Sequence, residues 1–103
     1  MSVFLEIMKE ELERNLYDQK SLSVQLESLP KGYLSECTID GKVYIYRKYR
    51  LGNKIVSEYI GVPGDENVKK AEEDRRQYLA IQTTIRSLKR EEKKLRRTIK
   101  NYK

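Results

Sequence analysis

Apolar residues recur at three- and four-residue intervals over residues 1–30, alternate with polar ones over 33–61, and return to the helical interval from about residue 65 onward. In the first segment a heptad register puts Leu5, Leu12, Gln19 and Leu26 at one seam position and Met8, Asn15, Leu22 and Leu29 at the other. Asn15 and Gln19 are the polar interruptions of that seam. No Gly or Pro occurs between Val3 and Leu29, which predicts an unbroken helix over about 3–29, stopped by Pro30 and Gly32.

The alternating segment holds three runs rich in β-branched and aromatic residues, 33–39, 42–50 and 54–60. Asp40-Gly41 between the first two predicts a two-residue type I′ hairpin, and Gly52-Asn53 between the second pair tolerates positive φ. With two-residue turns, Leu34, Val43, Ile45, Val56 and Ile60 share an inner face, with Arg47 opposite Glu58. Tyr44, Tyr46, Lys48, Arg50 and Tyr59 share the outer one.

Pro63-Gly64-Asp65 then punctuates the chain, with Asp65 an N-cap candidate and Glu66 suited to the first helical turn. The final helix is expected over about 65–102, with a seam of Tyr78, Ile81, Ile85, Leu88, Leu95, Ile99 and Tyr102 and with Glu92 as its charged interruption. The fold class expected is therefore α+β: one domain over 1–103, a three-stranded antiparallel meander between two long helices paired antiparallel in the manner of a coiled coil. Folding the helices back through the sheet brings Val3 level with about residue 91. Residues 91–103 then overhang, leaving Lys93, Lys94, Arg96, Arg97, Lys100 and Lys103 without intrachain acids and Leu95, Ile99 and Tyr102 as an uncovered stripe that fits an oligomer or partner interface. Glu6, Glu10, Glu11 and Glu13 are expected beside Arg86, Lys89 and Arg90 in exposed pairs worth about 0.2–1 kcal/mol each.

Charge sharpens this picture. The net charge of +6 is unevenly spread: residues 1–30 carry three basic and six acidic side chains, and residues 86–103 nine basic and two acidic. Such asymmetry points to an anionic partner or to pairing between the two ends. Histidine is absent, no Gly-rich phosphate loop opens either helix, and the one cysteine, Cys37, has neither a disulfide partner nor metal-ligand spacing around it. The expectation is a protein that is not an enzyme, uses no metal or cofactor, has no membrane span or signal peptide, and works in the reducing cytoplasm.

The stretch Tyr44-Ile45-Tyr46-Arg47-Lys48-Tyr49-Arg50 interleaves stacking rings with phosphate-neutralising cations, which suits a sheet laid on nucleic acid. The competing account is that tyrosines favour strands and cover a thin core. Leu29-Pro30-Lys31-Gly32, Gly41-Lys42-Val43-Tyr44-Ile45-Tyr46, Tyr49-Arg50-x-Gly52, Lys54-Ile55-Val56-Ser57 and Tyr59-Ile60-Gly61, followed by a charged helix, resemble a family of small proteins of Firmicutes and their mobile elements, including phage. The hairpin is also similar to the N-terminal sheet of some insertion-sequence transposases and to the arm-binding domains of phage integrases. That resemblance implies association with mobile DNA and gives Tyr44, Tyr46, Lys48 and Arg50 a DNA-contacting role.

The leading expectation is a homodimeric binding protein that contacts DNA or RNA through those four residues and through Lys93, Lys94, Arg96, Arg97 and Lys100. The alternatives are a phage-encoded, anti-CRISPR-like inhibitor that binds a nucleic-acid-binding host protein, and a coiled-coil oligomerisation or adaptor module.

Overall fold

The computed structural model describes residues 2–102 and has the expected α+β order. Helix α1 (Val3–Ser28) is followed by strands β1 (Tyr33–Ile39), β2 (Lys42–Leu51) and β3 (Lys54–Gly61) and by helix α2 (Glu66–Asn101). Where the length suggests one domain, the chain forms two compact units: Leu29–Leu79, and α1 with the part of α2 from Ala80 on. The cause is the length of α2, whose 36 residues extend about 54 Å. Its first turns belong with the sheet and the rest with α1.

In the sheet unit the strands form an antiparallel meander in the order β1-β2-β3. Ile39 pairs with Lys42, and Asp40 (φ 51°) and Gly41 (φ 78°) both have positive φ, as a type I′ turn demands. Leu51 pairs with Lys54, and there Gly52 has positive φ (61°) in the first central position of a type II′ turn. These two turns fix the register, so Leu34, Val43, Arg47 and Val56 lie half-buried on one face and Ile45 is buried among them. The alternation breaks once, at a bulge: Tyr46 pairs with Tyr59 but Ile45 with Gly61, leaving Ile60 as the extra residue.

Beyond the bulge, Asp65 starts α2. Its carbonyl accepts the Lys69 N–H at 3.0 Å, and its Oδ2 accepts the Val62 N–H at 3.1 Å. Val68, 1% exposed, is the most enclosed side chain among the described residues and with Ile45 forms the core of this unit. A Cβ at Gly61 would lie 2.7 Å from the Asp65 carboxylate and 3.3 Å from Val68 Cγ2, so glycine there lets α2 close onto the bulge.

In the helical unit α1 and α2 run antiparallel. Leu5, Met8, Leu12, Leu22 and Leu26 of α1 are half-buried, as are Ile81, Leu88, Leu95 and Ile99 of α2, with Ile85 and Asn15 fully buried. The pairing register differs from the one expected. The Asn15 side chain donates to the Leu88 carbonyl at 2.9 Å, the ring of Phe4 stands 5.4 Å from that of Tyr102, and the Ser2 and Tyr102 hydroxyls share a hydrogen bond. Because the start of α2 belongs to the sheet unit, α1 pairs further along it than a simple fold-back requires. The expected overhang therefore does not exist over the described residues, and Lys103 lies outside them. Leu95 and Ile99 are not a spare stripe but the facing side of the helix pair. The expected pairs of Glu6, Glu10, Glu11 and Glu13 with Arg86, Lys89 and Arg90 do not form either; the cation that Glu11 meets is Arg14 on its own helix, at 3.4 Å.

Candidate nucleic-acid interface

The turns that fix the register also sort the chemistry of the sheet by face. The outer face is Tyr33, Ser35, Cys37 and Ile39 of β1, then Lys42, Tyr44, Tyr46, Lys48 and Arg50 of β2, then Ile55, Ser57 and Tyr59 of β3. It contains three cations and no carboxylate. The acids of the strands, Glu36 and Glu58, fall on the other face, where Glu58 holds Arg47 at 2.6 Å. Among the described residues no carboxylate pairs with Lys42, Lys48 or Arg50.

The tyrosines of the outer face form a cluster. The Tyr59 ring lies 5.5 Å from Tyr46 in an edge-on arrangement and 6.2 Å from Tyr44. Tyr44 and Tyr46 are half-buried by this contact, whereas Tyr59 and Tyr33 keep about half of their surface open. Edge-on packing covers only one flat face of one ring in a pair, so the cluster can still stack on an unpaired base or offer hydroxyls to phosphates. Lys42 completes a surface expected from the sequence to hold Tyr44, Tyr46, Lys48, Arg50 and Tyr59; its place on the same face follows from the two-residue turn that pairs it with Ile39.

The basic part of α2 separates into three environments. Arg86, Arg90, Lys93, Arg97 and Lys100 recur at three- and four-residue spacing, are exposed, and meet no carboxylate among the described residues. Arg96 is different, since its Nε donates to Glu92 at 2.7 Å. Glu92 also accepts from Gln19 of α1 at 2.9 Å, and the Gln19 amide donates to Asn15 Oδ1 as well. The Gln19 hydrogen bond first and the Arg96 one second hold the Glu92 carboxyl below its ordinary value. Lys94 lines a groove between the helices with Glu11, Asp18 and Glu91. Of the five cations expected to bind on this helix, Lys93, Arg97 and Lys100 thus form an unneutralised row and Arg96 serves the helix pair, while Lys94, which forms no ion pair among the described residues either, lies in the groove off that row.

Neither region has the makings of a metal centre: no group of three or more His, Cys, Asp or Glu side chains able to hold a metal occurs among the described residues. Cys37 is an exposed free thiol. No helix among these residues is long and apolar enough to cross a membrane.

The family model described as Domain of unknown function (DUF6788) matches residues 5–70. The chain belongs to that family. The segment shared with DUF6788 takes in α1 from Leu5 on, the whole sheet and the first turn of α2, so it contains every outer-face residue and none of the cationic row on α2. No curated protein and no solved structure matches the chain.

Proposed function

We propose that the protein is a non-enzymatic, nucleic-acid-associated binding protein of the cytoplasm. It lays the outer face of its sheet on a phosphate backbone, with the free cationic row of α2 as a second contact. The observation that carries this reading is the sorting of charge by face: Lys42, Lys48 and Arg50 lie beside Tyr44, Tyr46 and Tyr59 on a face without a carboxylate. A sheet that merely covered a thin core with tyrosines has no reason to exclude acids from its solvent side. Sugar–phosphate chains present the complementary pattern, a repeating negative charge with ring faces between, and cations and rings on one surface answer both. The resemblance of the hairpins to transposase and integrase sheets favours a role on mobile DNA.

The test is fluorescence-anisotropy binding to single-stranded and duplex oligonucleotides over a range of salt. A steep fall of affinity with salt is expected, and Lys48→Ala and Arg50→Ala should each flatten the log–log slope by about one unit. Arg76→Ala, at a cation already held by Glu73 at 2.6 Å, should leave the slope unchanged. Binding that ignores salt, or slopes equal in wild type and both sheet variants, rejects the sheet face as the contact.

A further inference from the structure

The side of α1 turned away from α2 is not wholly polar. Val3, Ile7, Tyr17 and Val24 are exposed at 70%, 48%, 73% and 61%, although the helix already buries an apolar seam on its opposite side. At about 100° per residue, they line up with Glu10, Arg14 and Ser21 in one strip of alternating three- and four-residue steps. A solvated helix face keeps such positions charged or small, and a second strip of this spacing is the mark of a second helix partner.

We propose that this strip is the contact between two copies of the chain, α1 lying antiparallel on α1 of the second copy. The strip is complementary to itself when read in opposite directions. Ile7 then faces Val24, Arg14 faces Tyr17, and Glu10 faces Ser21, each contact made twice by the two-fold symmetry. Apolar meets apolar, a guanidinium meets a ring, and a carboxylate meets a hydroxyl. In the row that flanks the strip, Glu13 faces Lys20 of the second copy. The like-charged pairs are Glu6 with Glu27, at the solvated ends where screening is strongest, and Glu11 with Asp18 in the other flanking row, where Arg14 already holds Glu11 at 3.4 Å and offsets part of the repulsion. Arg14 is available for this role, being 70% exposed and held by Glu11 at 3.4 Å. From Ile7 to Val24 the seam is about 26 Å long, and four of its six layers carry a charged side chain, so the expected dimer is weak, with a dissociation constant of about 1–100 µM. This inference does not rest on the nucleic-acid reading, since it uses α1 alone.

Sedimentation velocity without nucleic acid, from about 1 to 200 µM, should show mass rising from monomer to dimer. Tyr17→Glu and Val24→Glu lie at exposed positions, so circular dichroism should show the fold retained while the dissociation constant rises at least about tenfold. Glu13→Lys and Lys20→Glu should each weaken the dimer and together restore it. Within one helix these two residues are seven positions and about 10 Å apart, too far to bond to each other, so rescue reports a contact between copies. A monomer across the whole range overturns the proposal, as does a dimer indifferent to Tyr17→Glu and Val24→Glu. A double swap no better than either single one overturns the antiparallel register.

Discussion

At the scale of the residue, the polar members of the helix seam carry more information than the apolar ones. Asn15, Gln19 and Glu92 interrupt the heptads in sequence and look like weaknesses. In the structure they join into one chain of hydrogen bonds, from the Leu88 carbonyl through Asn15 and Gln19 to Glu92 and Arg96. A buried amide is costly unless satisfied, so this layer favours one alignment of the helices, while leucines alone tolerate several. The layer also makes stability depend on pH. Because the folded state holds the Glu92 carboxyl below its ordinary 4.5, the stabilisation is complete above that value and is lost as pH falls through the lower folded one. Glu92→Gln cannot titrate, so the stability gap between wild type and variant, followed by thermal unfolding, should narrow steadily between about pH 5 and pH 3. A gap that is constant with pH would show that the carboxylate contributes nothing to the layer.

At the scale of the element, the two hairpins were legible because their turns are chemically specific. Asp40-Gly41 admits positive φ at both positions and Gly52 at one, and once the loop lengths are set the alternation dictates both faces. The bulge at Ile60 left no such trace: it answers to the approach of Val68 and Asp65 toward Gly61, a contact made by residues outside the strand. The helix register was illegible for a related reason. A heptad pattern says which side of a helix is covered but not which residues of its neighbour cover it, and a simple fold-back leaves residues 91–102 wrongly without a partner helix. In the observed register the residues beyond Arg90 are part of the helix pair. Ending the chain at Arg90 removes Glu92, Leu95, Ile99 and Tyr102, and with them the cover over Phe4 and Met8. The shortened chain should lose more helical circular dichroism than the deleted residues account for, and its unfolding midpoint in urea should drop, since α1 without a partner is only marginally stable as a helix. A truncated protein with the full-length midpoint would restore the overhang.

At the scale of the whole molecule, two unneutralised cationic surfaces sit on two separate compact units, the outer sheet face on one and the row of Lys93, Arg97 and Lys100 on the other. Whether both serve one ligand is a question of additivity that salt dependence can answer. Each phosphate neutralised contributes about 0.9 to the slope of log K against log salt on duplex DNA and about 0.7 on a single strand. Replacing Lys42, Lys48 and Arg50 by alanine should therefore flatten the slope by about two to three units, and replacing Lys93, Arg97 and Lys100 should do the same if that row also meets phosphates. All six positions lie on solvent-facing sides of their elements, so neither set disturbs a core. If one nucleic acid touches both units, the combined variant should lose the sum of the two changes, because contacts on separate units share no partner group. If the helix row merely raises the local potential, its variant should slow association while leaving the slope nearly intact. A combined variant no flatter in slope than the sheet variant would confine the interface to the segment shared across the family and leave the basic end of α2 as a solvated face.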